Sequence, residues 1–350
     1  MFEDRSNKRT ELSSLGEFGL IEYLTKDIKL KHKSSIYGIG DDAAVLDAGK
    51  KKILVSTDML TEGVHFDLTF MPLKHLGYKA VVVNLSDIIA MNATPSQITV
   101  SIGVSNRFSV EAIAELYSGI KLACKNYNVD LIGGDTTSTA AGLVISVTVI
   151  GFANEKDITY RNTAKEHDLV CVSGDLGGAY AGLMVLEREK KVFEANPEMQ
   201  PELSGNDYIL ERHLKPEARI DIIKVLSDVK VKPTAMIDIS DGLASELKHI
   251  CKQSKVGATL YENKIPIDQT TWDSARAFNM DPTTYALNGG DDYELLFTIK
   301  ATDYDKVKNL SEITVIGHIT EESAGVNLIT KNNVSAPIEA QGWDGMKGKG

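Results

Sequence analysis

Short apolar runs that end in aspartate, commonly with glycine alongside, recur along both halves of this chain. The first half carries Gly38-Ile39-Gly40-Asp41-Asp42, Val55-Ser56-Thr57-Asp58, Asn84-Leu85-Ser86-Asp87 and Gly133-Gly134-Asp135. The second carries Ile237-Asp238-Ile239-Ser240-Asp241-Gly242 and Gly289-Gly290-Asp291-Asp292-Tyr293. A carboxylate that follows a buried strand sits at the rim of a sheet, where open α/β folds bind their ligands. Carboxylates converging there repel one another unless cations neutralise them. Magnesium, which takes oxygen ligands and bridges carboxylates to phosphates, suits such a rim. Any one of these aspartates taken alone reads more simply as a turn former or helix cap.

Asp87 is the exception. Val81 to Ile89 has helical spacing with apolar residues over much of its surface. A carboxylate there is expensive without a partner, and Asn84 lies one turn earlier on the same face; a metal is the partner favoured. The glycines permit close backbone approach to a phosphate. Ser173-Gly174-Asp175-Leu176-Gly177-Gly178 reads equally as a phosphate cradle or as packing. Gly38 to Ala43 lacks the following helix that a dinucleotide fingerprint needs, and no Walker-type phosphate loop occurs. His65 follows the Asp58 run closely enough to face the same site, although a lone His is more often satisfied elsewhere.

A chain of 350 residues suggests two domains. Residues 1–153 read as mixed α/β. Helices are expected over about Leu73 to Met91 and from a Ser109 cap to about Tyr127, and strands over Ile53 to Thr57, Gln97 to Val104 and Leu143 to Phe152. Polar Ala153 to Lys165 reads as a linker. Residues 154–344 read as a second α/β unit. It has strands Asp168 to Ser173, Ala235 to Ile239, Ala258 to Tyr261, Tyr293 to Ile299 and Thr314 to Ile319. Its helices are Gly178 to Glu189 and Leu243 to Gln253, and Glu187 to Asp207 reads as a polar loop. Residues 345–350, rich in Gly and Lys, read as a disordered tail.

The 38 basic and 49 acidic residues leave a net charge of −11, which disfavours nucleic acid and anionic membrane as partners. No apolar run approaches the roughly 20 residues of a membrane span. The three cysteines, Cys124, Cys171 and Cys251, form no CxxC pair. They read as buried thiols in a reducing compartment, so the chain is expected in the cytoplasm.

Taken in order, the segments GEFGLIEYL, GIGDDAAVL, VSTDMLTEGVHF, LGYKAVVVNLSDIIAM, LIGGDTT, IDISDGLASELKHI, GGDDYELLFT, IGHI and GWD run from Gly16 to Asp344. They resemble the thiamine-monophosphate kinase family of the aminoimidazole-ribonucleotide synthetase-like ATP-binding superfamily. The resemblance implies a two-domain mixed α/β fold with an N-terminal sheet that pairs in a homodimer. It also implies direct, magnesium-assisted in-line transfer from ATP to thiamine monophosphate, giving ADP and thiamine diphosphate. Carried over by motif, Asp42, Ser56, Thr57, Asp58, Asp87, Asp135, Asp238 and Asp241 resemble magnesium ligands. Tyr117, Gly134, Asp135, Arg161 and Ser240 resemble ATP contacts, and His65, Asp291 and Trp343 resemble contacts to the acceptor.

Three positions depart from the family pattern: Asp291 stands where a glutamate is usual, Asn92 replaces a turn glycine, and Gly-Met follows Gly-Trp-Asp near the end. The acceptor would itself be a phosphate monoester, largely dianionic at neutral pH because its second pKa is about 6. It needs little help from a general base, so no catalytic group beyond the metal ligands is expected. The alternatives are another ATP-dependent enzyme of the superfamily, such as one resembling aminoimidazole ribonucleotide synthetase, or a non-catalytic regulator that binds nucleotide and magnesium.

Overall fold

The computed structural model describes residue 10, residues 23–37 and residues 45–339. These divide into two compact units. The first comprises the described residues up to Asn84 together with Pro95–Phe152; the second comprises Leu85–Thr94 and the residues from Ala153 onward.

In the first unit, β1 (Ser35–Tyr37) and β2 (Val45–Leu46) form a small antiparallel pair. A four-stranded sheet runs β3-β6-β4-β5, where β3 is Lys52–Thr61, β4 Thr94–Val104, β5 Asp130–Ser138 and β6 Leu143–Ala153. On β6 the residues Leu143, Ile145, Val147 and Val149 are fully buried and alternate with half-buried ones, the period of a strand with one face on a core. Its helices include α1, Leu73–Ala90, whose last turns pass into the second unit, and α2, Val110–Asn126. Ser109 caps α2 by accepting from Ala112 N–H, as its sequence predicts. The two helices touch backbone to backbone. A side chain on Gly77 would meet Leu116 O at 2.0 Å, and one on Gly119 would meet Lys74 O at 1.9 Å. Nearly every residue of α1 from Leu76 onward is buried, which is what a helix apolar on all sides requires.

The second unit holds a seven-stranded mixed sheet in the order β13-β12-β9-β11-β7-β10-β8. Its strands are β7 (Leu169–Ser173), β8 (Ala235–Asp238), β9 (Gly257–Tyr261), β10 (Leu295–Ile299), β11 (Ile313–Thr320), β12 (Val326–Ile329) and β13 (Ser335–Pro337). Its helices include α3 (Gly178–Ala195), α4 (Asp207–Leu214), α5 (Ile220–Asp228), α6 (Leu243–Ser254), α7 (Gln269–Ala277) and α8 (Pro282–Asn288). Leu243, Leu247 and Ile250 of α6 join Val170, Val172, Ile237 and Leu296 of the sheet in one core.

The expected elements are found, with altered limits. α3 continues past Glu189, so the polar excursion is shorter than the sequence suggests, and α4, α5, α7 and α8 were not anticipated. Asn92 adopts φ 57° and donates from Nδ2 to Asp157 O at 2.7 Å. The turn survives the loss of glycine because Asn tolerates the left-handed conformation. Most of the GEFGLIEYL segment and all of residues 345–350 lie outside the described residues.

Candidate active site

The residues singled out by the sequence fall in two sets, one in each unit. In the first, Ser56, Thr57 and Asp58 lie within β3, which runs on to Thr61; Asp58 is a strand residue, not the residue after a strand. Thr57 Oγ1 donates to Val147 O (3.1 Å) and accepts from Thr148 Oγ1 (3.0 Å). The Asp58 N–H donates to Asn84 Oδ1 at 2.9 Å, while Asn84 Nδ2 donates to Ala80 O at 3.0 Å. Asn84 is fully buried and so anchors the backbone of Asp58, itself an exposed residue.

Asp135 likewise lies inside a strand, exposed on β5 opposite Ser101. Beside it, a side chain on Gly134 would meet Val100 O at 1.9 Å, so only glycine lets β5 lie this close to β4. Tyr117 is buried on α2, and burial lifts its phenol to about 12, keeping it protonated. His65 is exposed; its Nδ1 accepts from Thr61 N–H at 3.1 Å, which leaves the proton of a neutral ring on Nε2.

In the second unit, Asp238 ends β8 and is 4% exposed. Ser86, fully buried on α1, donates from Oγ to Asp238 Oδ2 at 2.7 Å. Burial raises the Asp238 carboxyl, and the negative charge of Asp87 raises it further, against the Ser86 hydroxyl and the Arg161 guanidinium. Asp241 opens the turn into α6, where its N–H donates to Glu246 Oε1 at 3.2 Å. The Asp291 loop is zipped onto this turn: Asp291 N–H donates to Ser240 O (2.7 Å) and Tyr293 N–H to Ile239 O (2.8 Å). Asp238, Ser240, Asp241 and Asp291 are thereby gathered at one end of the sheet, with Asp87 and Arg161 charged neighbours of Asp238.

Among the described residues no three His, Cys, Asp or Glu side chains converge as a ready cage for a metal. The pair formed by buried Asp238 and half-buried Asp87 nevertheless fits a divalent cation. Two carboxylates held near one another against their own repulsion are the donor chemistry that such a cation answers. Asp42 and Trp343 lie outside the described residues.

The turn at Gly174 to Gly178 packs: Gly177 N–H donates to buried Asp292 Oδ2 at 2.8 Å and Ala179 N–H reaches Oδ1 at 3.4 Å. Lys215 pairs with Glu217 (2.9 Å) and Glu211 (3.5 Å), and Arg219 with Asp221 (2.9 Å) and Glu294. Sequence reasoning missed Ser86, Glu246 and His213. Ser86 was visible one place before Asp87, whereas Glu246 reads only as a first-turn acid of a helix.

Comparison with known proteins identifies the family. The AIR synthase related protein N-terminal domain matches residues 40–153, and the corresponding C-terminal domain matches residues 165–328. Thiamine-monophosphate kinase from Buchnera aphidicola subsp. Schizaphis graminum is 40% identical over 320 residues, covering 89% of this chain and 94% of the relative. The Bacillus subtilis thiamine-monophosphate kinase is 35% identical over 340 residues, covering 95% of this chain and 100% of the relative. The solved structure of AaThiL complexed with AMPPCP and TMP superposes with a TM-score of 0.73 at 34% identity, covering 96% of this chain and 99% of that one. The chain therefore belongs to the thiamine-monophosphate kinase family, built from the paired domains of the AIR synthase related proteins.

Proposed function

We propose that this chain transfers the γ-phosphoryl group of ATP to the phosphate of thiamine monophosphate, giving ADP and thiamine diphosphate. The observation that carries the reading is the gathering of Asp238, Ser240 and Asp241 with the Asp291 loop, in a chain 34% identical to AaThiL, whose solved structure holds AMPPCP and TMP. An oxygen of the acceptor phosphate attacks the γ-phosphorus in line, and the bond from that phosphorus to the bridging oxygen of ADP breaks. The acceptor is already largely ionised, so positioning and charge neutralisation make up most of the catalysis.

In this reading Asp87 and Asp238, with Asp42, Ser56, Thr57, Asp58, Asp135 and Asp241, hold magnesium, which when bound offsets the repulsion between donor and acceptor phosphates. Tyr117, Gly134, Asp135, Arg161 and Ser240 contact ATP. His65, through its Nε2 proton, Asp291 and Trp343 contact the acceptor. The exposed apolar residues Ile53, Val55 and Met59 on edge strand β3 support pairing of this sheet with a second copy. No helix among the described residues is long and apolar enough to cross a membrane, and the three cysteines are buried and free, in keeping with a cytoplasmic enzyme. Incubation with ATP, magnesium and thiamine monophosphate, followed by chromatography, tests the reading. Thiamine diphosphate should form in step with ADP; ADP without it would point to another acceptor.

A further inference from the structure

The segment that carries Asp291 is held in an uncommon backbone conformation. Asp291 and Tyr293 have φ of 61° and 52°, following Gly290 at 72°. Non-glycine residues with positive φ persist only where their surroundings over-determine them. Here the backbone is over-determined by the bonds to Ser240 and Ile239 described above.

The side chain is met from two further directions. Tyr293 donates from its hydroxyl to Asp291 Oδ1 at 3.1 Å. His213, on the last turn of α4, places Nδ1 3.7 Å from Asp291 Oδ2, within ion-pair reach. His213 is 4% exposed, whereas the Asp291 side chain is 34% exposed. The carboxylate thus has a buried side facing an imidazole and an open side. α4 packs along the longer α3, which gives the imidazole a rigid support. A buried histidine beside a partly open carboxylate has a clear use. It can narrow the directions open to the carboxylate, which lowers the side-chain entropy to be lost when a ligand binds.

We propose that His213 is a positioning residue for the acceptor site: it acts through Asp291, setting the direction of that carboxylate without touching ATP or the transferred group. This rests on the reading of Asp291 as an acceptor contact. The test is steady-state kinetics on the full chain carrying His213→Phe, His213→Gln, Asp291→Asn, or His213→Phe with Asp291→Asn, with each variant's melting temperature measured. His213→Phe keeps the bulk and removes the polar atom, so the KM for thiamine monophosphate should rise about tenfold while the KM for ATP stays within about twofold. His213→Gln, which retains a side-chain donor, should recover most of that loss. The double variant should be no worse than Asp291→Asn alone, because residues acting through one another are not additive. Additive losses, or parallel rises in both KM values with a fall in melting temperature in both His213 variants, would show that His213 merely packs and overturn the proposal. A wild-type chain that forms no thiamine diphosphate would overturn the underlying reading, and this inference with it.

Discussion

At the scale of single residues, the account depends on carboxylates held where they are costly. Asp87→Asn keeps the shape of α1 but removes one of the two charges that a cation near Asp238 would answer. It should lower kcat by on the order of 100-fold at ordinary magnesium, with the circular dichroism spectrum unchanged. Turnover within about twofold of wild type would contradict the metal assignment. Asp292 offers a separate test, away from the metal ligands. Burial pushes its carboxyl up to about 7, although the neighbouring Arg212 and the Gly177 and Ala179 N–H groups favour the ion. The folded chain therefore keeps a proton that the unfolded chain, with an aspartate pKa of about 3.9, has already lost. Stability from this group falls as pH rises from about 4 to about 7. Asp292→Asn cannot ionise, so its urea-unfolding free energy should decline less steeply across that window, by about 1 kcal/mol per pH unit. Equal slopes in variant and wild type would mean that Asp292 stays ionised throughout.

At the scale of elements, close approach and turn conformation position the site. Alanine at Gly77 or Gly119 drives a methyl group into the backbone of the facing helix, and each change should destabilise the chain by about 1–3 kcal/mol in chemical denaturation. The Asn92 turn permits a finer comparison. Asn92→Gly keeps the left-handed conformation and loses only the bond to Asp157, whereas Asn92→Ala loses both. The alanine variant should be the less stable by about 1 kcal/mol.

Much of this level was legible in the sequence. The Ser109 cap, the apolar period of α1 and the Ile-Asp-Ile-Ser-Asp-Gly turn each follow from local chemistry. Asp58 and Asp135 were placed at strand ends although they lie inside β3 and β5, because polar Ser, Thr and Gly conceal the continuation of an edge strand. α4 went unread because Asp207-Tyr-Ile-Leu-Glu-Arg-His-Leu214 is short and highly charged, and a run containing two prolines precedes it. The facing of His213 and Asp291 could not be read at all. The two residues are distant in sequence and meet only through the packing of α4 and the zipped loop.

At the scale of the whole molecule, the four-stranded sheet leaves apolar side chains on β3 open to solvent, with Val55 63% and Met59 59% exposed. A long edge with such residues invites pairing unless another chain covers it. Wild-type protein should sediment as a dimer, and Val55→Glu together with Met59→Glu should shift it to monomer while leaving its secondary structure intact. A wild-type monomer at micromolar concentration would remove the homodimer from the account.

The central claim is direct transfer of a phosphoryl group between two phosphate esters. The measurement that tests it most directly follows ATP labelled at the γ-phosphate, with magnesium and unlabelled thiamine monophosphate, through a single turnover. The account predicts that the label appears in the terminal phosphate of thiamine diphosphate, with none passing first through free phosphate. Label released as inorganic phosphate, with thiamine monophosphate recovered unchanged, would contradict it.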